Sequence, residues 1–451
     1  MTRTSTSTIV QLDDDRKRSS VRLGSMETVD ALGVESRLFG VIKVILKYSG
    51  LHISERSDLD NDDGDIVFNN NNTNRKHAPI LRRLRLIGFF IISSLVVYRA
   101  LALAYKCDLR AGLTQESINQ FAVTSWATQS VISLVAVGWW QYSGFMGRFC
   151  HLLVAANKFR GSQTPCGNRH IKIRICLLLL TTVLGVGVSL GTSLGAFVTG
   201  GQLFATSANV SDIFAIRALY PLYFLALAWS MIVWFMALGI YVMSCGATLA
   251  EISHFNSDLV EAGRNGHMNH PDLLVGLFMK HGDLCAIIHH LNRSFEVYTL
   301  LIAGTNIPCT IATIYTLIKN YQKMHSEGFY LICFSAGLAI VQLWALSVTP
   351  ARIYDQIREA KEILYAEKSV WNQFNEKTYA IANTFTSRIA QANIGIGLWG
   401  FAIINKPLIL TTISLFITYL SLLLQLQARN RDSVISVTPG NVPFNATLTC
   451  S

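Results

Sequence analysis

Seven stretches of the chain are continuously apolar over roughly 20 residues, the length at which an α-helix crosses ~30 Å of hydrocarbon. They are Leu86–Tyr105, Phe121–Tyr142, Ile175–Val198, Leu219–Val242, Phe295–Leu317, Phe329–Val348 and Leu398–Leu426. The second carries Thr124, Ser125, Gln129 and Ser130 in its first half, and the seventh is interrupted by Asn405, Lys406 and Pro407. Both still read as spans, because helices packed in a bundle can keep polar side chains away from lipid. Before the first span, Ser36–Leu51 sets Leu38, Ile42, Ile45 and Leu46 against Lys43 and Lys47. That pattern predicts an amphipathic helix too short to span, lying at the cytosolic membrane interface. Residues 57–74 are acidic and Asn-rich and read as a linker. Residues 245–294 and 349–397 keep a helical period, as in Tyr354, Ile357, Ile363 and Leu364, so helices are expected to continue beyond the bilayer.

The fold class is therefore all-α, a polytopic membrane protein with seven transmembrane helices. The expected divisions are an N-terminal segment (1–80), a six-helix bundle (81–348) with its loop 245–294, helices at 349–397, a last span at 398–426 and a tail at 427–451. Composition agrees: 51% of residues are hydrophobic, only 15% are charged, and the mean hydropathy is +0.36. Of the 38 Lys and Arg residues, 29 fall on the side of the N-terminus, 7 on the opposite side, and Arg99 and Lys406 lie within spans. The positive-inside rule then predicts a cytosolic N-terminus and, with seven spans, an extracellular C-terminus at the plasma membrane. The net charge of +10 is thus spread over juxtamembrane loops and does not form a nucleic-acid footprint. No cleavable signal segment is expected, since residues 1–35 hold no apolar core. Glycosylation sequons at Asn209 and Asn445 fall on the predicted outer side and those at Asn71 and Asn292 on the predicted inner side, so the sequons do not decide the orientation; Cys107 and Cys450, both on the outer side, could pair.

Candidate chemistry is sparse. His281, Cys285 and His289 share one helix face, but three turns cover ~12 Å, too far to hold one ion together. The acidic run from Asp58 misplaces the glycine and lacks the closing Glu of a calcium loop. No nucleophile elbow, HExxH or phosphate loop is present, so neither an enzyme nor a metal or cofactor site is expected. The last span has a pattern of its own. Thr411, Ser414, Thr418, Ser421 and Gln425 alternate by three and four and form one polar seam on an otherwise apolar helix. Such a seam fits a packing interface, or a water-lined surface around an axis shared by several copies of the chain.

Four stretches carry a resemblance to a known family. Thr418–Leu426 (TYLSLLLQL) resembles the Thr-Tyr, five hydrophobics, Gln-Phe signature that closes insect gustatory receptors. Gly400–Asn405 (GFAIIN) is similar to its Gly and Asn/Asp lead-in, and Asp283–Phe295 resembles the Leu-Cys and Leu-Asn-x-x-Phe pattern before span five. Lys47–Leu51 (KYSGL) resembles the N-terminal Lys-x-x-Gly-Leu element. Ser421 and Leu426 depart from the signature, Leu426 standing where the family has Phe. The resemblance implies a tastant-gated, non-selective cation channel, a homo- or hetero-tetramer whose last helices line the pore, with Gln425 and Leu426 at the outer gate. It further implies an anchor where subunits meet beneath the membrane, and a pocket in the outer half of the bundle for a small organic tastant, a sugar or bitter compound. Residues placed there by the topology are Trp126, Gln129, Tyr220, Tyr223, Thr310, Thr313, Tyr315 and Tyr330. A G-protein-coupled chemoreceptor would place its N-terminus outside, against the charge count. A secondary transporter would show an internal repeat or paired broken helices, which this sequence lacks.

Overall fold

The computed structural model describes residues 31–49, 51, 78–106, 115–157, 168–198, 220–320, 326–372, 376–391 and 394–435. Cys107, Cys450, Asn209, Asn445 and the linker 57–74 lie outside the described residues. The described chain is nearly all helical: α1 (31–48), α2 (Ala78–Lys106), α3 (Gln115–Tyr142), α4 (Phe145–Asn157), α5 (Asn168–Val198), α6 (Tyr220–Arg264), α7 (Pro271–Asn320), α8 (Ser326–Ala366), α9 (Lys368–Asn372), α10 (Glu376–Gln391) and α11 (Lys406–Ile435). Seven of them, α2, α3, α5, α6, α7, α8 and α11, are long and apolar enough to cross a membrane, in agreement with the seven hydrophobic stretches.

The helical continuation expected beyond the bilayer is present. At ~1.5 Å per residue, the 45 residues of α6 and 50 of α7 reach about 68 and 75 Å, more than twice the hydrocarbon thickness. The segment 245–294 is accordingly a helical hairpin. It turns at Gly266 and a short 3-10 helix, His267–Asn269, before Pro271 opens α7 with Asp272 in its first turn. Pro at a helix start forfeits no hydrogen bond, and an acidic residue there complements the helix dipole.

α3 lies along α6 and α7, α8 packs on α6 and α7, and α2 and α5 flank α6. The main core gathers around Trp140, whose ring meets Phe295 edge-on at 4.9 Å and Tyr298 at 5.2 Å, while its Nε1 donates to the Ser294 carbonyl at 3.0 Å. Tyr241 joins the same group, 5.1 Å from Phe295, and donates to the Leu346 carbonyl of α8 at 3.0 Å. Phe295, the Phe of the Leu-Asn-x-x-Phe stretch, is thus the aromatic on which α3, α6 and α7 converge.

Two expectations change. The N-terminal amphipathic helix runs over 31–48, and protein covers its apolar face: Leu38, Phe39, Ile42 and Leu46 are buried, with Phe39 edge-on to Phe149 of α4 at 6.2 Å. Leu51 is fully buried, and its carbonyl accepts from Gln141 Nε2 at 3.2 Å. The periodicity was right, but a lone sequence cannot distinguish a lipid surface from the apolar side of α4. The last span, in turn, starts at Lys406 rather than Leu398. Asn405 Oδ1 accepts from the Leu408 backbone N–H at 2.9 Å and caps the new helix, with Pro407 in the first turn. Lys406 pairs with Asp355 of α8 at 3.0 Å.

Residues 396–404 form a tight hairpin, with Leu398 N donating to Ala402 O and Ile404 N to Ile396 O. Its two central residues, Trp399 and Gly400, have φ of 46° and 76°. Two consecutive positive φ values define a type I′ turn, which glycine enters at little steric cost. This gives the Gly400 of the lead-in its physical reason. Gly395 answers a different constraint, since a Cβ there would lie 2.5 Å from Ile403 Cγ2.

Candidate pore helix and ligand-binding bundle

α11 is the least enclosed of the long helices: none of residues 406–425 is buried within the chain. Its inner side rests on the bundle through Leu408 and Ile409, against the main core, and through Leu420, Leu423 and Leu424, against Ile118, Ala312 and Tyr315. At ~100° per residue, the seam lies on the opposite side of the helix from these contacts. Thr411, Ser414, Thr418, Ser421 and Gln425 are all exposed, as is the family-motif residue Tyr419. The seam therefore does not serve as a packing interface among the described residues of this chain. Thr411 donates to the Pro407 carbonyl at 3.0 Å and Thr418 to the Ser414 carbonyl at 2.9 Å, so these two hydroxyls are satisfied by their own helix. Leu426 follows in α11, its side chain outside the described set.

The start of α11 is fastened to α7. Asn292 Oδ1 accepts from the Gly397 backbone N–H at 2.7 Å, and Thr299 Oγ1 donates to the Gly397 carbonyl at 3.1 Å. One residue of the hairpin is thus held through both its backbone groups by side chains two turns apart on α7. Asn292 is the Asn of the Leu-Asn-x-x-Phe pattern, read from the sequence only as a motif position and an inner-side sequon. Behind this junction lies a cavity of about 60 Å³ lined by residues that include Thr299, Leu346, Ile404 and Thr412.

The eight pocket candidates do not form one group. Trp126 meets Trp234 of α6 edge-on at 5.1 Å, and Tyr223 is buried in a cluster with Ala100 and Ala127. Gln129 is fully buried, with neither carboxamide atom hydrogen-bonded among the described residues. Thr310 and Thr313 are buried on α7, their hydroxyls turned into their own helix toward the Asn306 and Cys309 carbonyls. Tyr315 lies at the contact between α7 and α11 rather than inside the bundle. Tyr220 and Tyr330 belong to α6 and α8, their side chains outside the described set.

Burial reveals polar groups that hydropathy passed over. Trp234 Nε1 and both polar atoms of Gln342 are buried and lack a hydrogen-bond partner among the described residues. Arg99, an arginine inside the first span, is only 7% exposed. An ionisable residue at that depth was the available signal. The His281–Cys285 pair is close, Sγ to Nδ1 at 3.5 Å, yet no group of three metal-capable side chains forms among the described residues.

A family model described as "Caenorhabditis protein of unknown function, DUF267" matches residues 38–420. Among solved structures, the insect olfactory receptor OR5 from Machilis hrabei is similar at a TM-score of 0.59 and 12% identity, over 88% of this chain and 100% of that one. The same receptor in complex with eugenol is similar at a TM-score of 0.54 and 14% identity, over the same shares. No curated protein matches.

Proposed function

We propose that this chain, which belongs to the family of Caenorhabditis proteins of unknown function DUF267, is a ligand-gated, non-selective cation channel of chemoreceptor type. The observation that carries this reading is the polar seam of α11, turned away from its own bundle and exposed over its whole length. Cyclic assembly gathers four such faces around one axis, where hydroxyl and carboxamide dipoles line a weakly selective path for cations. The fold shared with an olfactory receptor, and the order of gustatory-receptor motifs along the chain, support the same assignment. In this arrangement the N-terminus is cytosolic, the C-terminus extracellular, and Gln425 and Leu426 form the outer gate.

The ligand is a small organic tastant, a sugar or a bitter compound, taken up among α2, α3, α6, α7 and α8 in the outer half of the bundle. Trp126, Gln129 and Tyr223 offer stacking surfaces and hydrogen-bond capacity there, and the unpaired carboxamide of Gln342 lies deeper, below the middle of the bundle. Ligand binding favours the open state by its differential affinity for that state. The Asn292–Gly397–Thr299 junction transmits the shift from α7 to α11. The test is current and calcium entry in cells expressing this chain alone, screened against sugars and bitter compounds. Ligand-evoked cation current is the expected result. A signal that needs G proteins and carries no current, or an N-terminal tag reached from outside, refutes the channel.

A further inference from the structure

Arg99 sits about 10 Å inside the Lys106 end of α2 at 1.5 Å per residue, and it is buried against α6. Its guanidinium stands 5.5 Å from the centroid of the Tyr223 ring, and Nη1 donates to Ser230 Oγ at 3.5 Å. That hydroxyl already donates to the Ala226 carbonyl at 2.7 Å, so it only accepts from Arg99. Arg99 Nε has no partner among the described residues. A ring face and one long bond to a neutral hydroxyl leave a full positive charge uncompensated in a membrane-embedded bundle. Such a charge is costly unless paired, and one that persists marks a functional site.

The carboxylates of the membrane-spanning helices fall at the ends of the spans, Glu116 in the first turn of α3, Glu296 at the start of span five and Glu327 in the first turn of α8, and Arg99 has no ion pair among the described residues. The sequence contains no Asp or Glu in 78–106, 117–142, 168–198, 220–250, 297–320, 328–354 or 406–425. The surroundings favour the same sign of ligand. Trp234 lies one turn beyond Ser230 on the same face of α6, and its indole N–H is buried without an acceptor. Gln129, one turn from Trp126 on the adjacent α3, has both carboxamide atoms unpaired and can serve a ligand of either sign. Arg99 Nε and Trp234 Nε1 are thus two N–H donors without acceptors among the described residues, set one turn apart along α6, at Ser230 and Trp234.

We infer that Arg99 is the recognition point for an anionic ligand, whose carboxylate or phosphate oxygens take the guanidinium in place of an internal counter-ion. The planar fork of Arg suits either group, which a free organic acid or an anionic lipid headgroup supplies equally. Tyr223 then packs against the guanidinium and fixes its plane. The inference rests on the proposed function only in placing a ligand at this end of the bundle.

The full chain in phosphatidylcholine nanodiscs is followed by thermal unfolding with acetate, hexanoate or benzoate, each against its neutral amide. A second set of nanodiscs contains phosphatidylglycerol and no added acid. At least one carboxylate should raise Tm saturably where its amide does not, or phosphatidylglycerol should do so where the acids do not, which distinguishes the two sources. Arg99→Gln should weaken the effective anion roughly tenfold or more, the scale of a lost charge-assisted hydrogen bond. Arg99→Lys, which keeps the charge and loses the fork, should fall between and guards against misfolding of the first variant. The inference is overturned if neither acids nor anionic lipid shift Tm, or if Arg99→Gln responds like the parent. Destabilisation by Asp108→Asn, Glu116→Gln or Asp212→Asn equal to that of Arg99→Gln would reveal an internal counter-ion and overturn it too. Because binding is read here rather than current, a chain that binds acids without conducting refutes the channel and leaves the anion site standing.

Discussion

Gln129 and Gln342 should each be replaceable by Met with a gain in stability and a loss of ligand response. Both side chains are 0% exposed, and all four of their polar atoms lack partners among the described residues. The neighbouring contacts place them deep in the bundle. Asn306 Nδ2 donates to the Ala339 carbonyl at 3.1 Å and Tyr241 to the Leu346 carbonyl, so Gln342 lies between two anchored levels of α8. Each unpaired buried polar group costs ~1–3 kcal/mol, and a carboxamide has two. A volume-conserving change to Met recovers that cost, less up to ~1.5 kcal/mol for imperfect packing. The net expectation is a gain of between ~0.5 and ~6 kcal/mol in stability per site. Reversible unfolding of the full chain in mixed micelles measures it, beside ligand-evoked current from the same variants. Stabilisation with an undiminished response would remove these residues from the ligand site. Destabilisation by more than ~1 kcal/mol at either site would show that the carboxamide is engaged in the resting protein, and the reasoning from unpaired atoms would fail.

Gln425→Ala should change conductance or ion preference more than Leu422→Ala does in single-channel recordings, since only Gln425 belongs to the seam. Asn292→Ala leaves the Gly397 N–H without its acceptor at a cost of ~1–3 kcal/mol, and should shift the ligand dose–response curve. Asn292→Asp, which keeps an acceptor, should shift it less. Trp140→Ala should lose ~3–5 kcal/mol, because the ring is fully buried among Phe145, Phe295 and Tyr298. Trp140→Phe should lose less, as it keeps most of the ring contacts and gives up the bond to Ser294.

The spans were legible because each depends on one local quantity, about 20 apolar residues in a row, which lipid demands whatever the neighbours are. The continuation of α6, α7 and α8 beyond the bilayer was legible for a similar reason, since the period of 3.6 persists past the apolar stretch. What could not be read is where the partner of a face comes from. The stripe of Leu38, Ile42 and Leu46 is as suitable for a headgroup region as for the surface of α4. The break at Asn405–Lys406–Pro407 likewise reads as a flaw in a long span until the hairpin before it is seen, with Asn405 as the cap and Trp399–Gly400 as the turn. Asn292 was missed because the backbone it holds lies more than 100 residues away in sequence, whereas Arg99 carried a local signal, a charge inside a span, and only its neighbours on α6 were not legible.

The seam on α11 shows which of its members carry information. Thr and Ser return their hydroxyl hydrogens to the preceding turn, as Thr411 and Thr418 do, so a helix can present them to lipid at little cost. Their exposure alone therefore does not distinguish lipid from a water-filled axis. Gln425 differs. Its carboxamide has two donors and a two-fold acceptor, more than the backbone of one helix can satisfy. It also stands 19 residues beyond Lys406, ~29 Å along the axis and thus at the far edge of the hydrocarbon layer. There, water at the bilayer surface and water in a pore mouth satisfy it equally well in the resting protein. The two environments separate only in transport: a lipid-facing Gln425 leaves ion passage unchanged when truncated, whereas a ring of four such groups at a constriction does not. For that reason the comparison of Gln425→Ala with Leu422→Ala, measured as conductance rather than stability, decides the place of the seam.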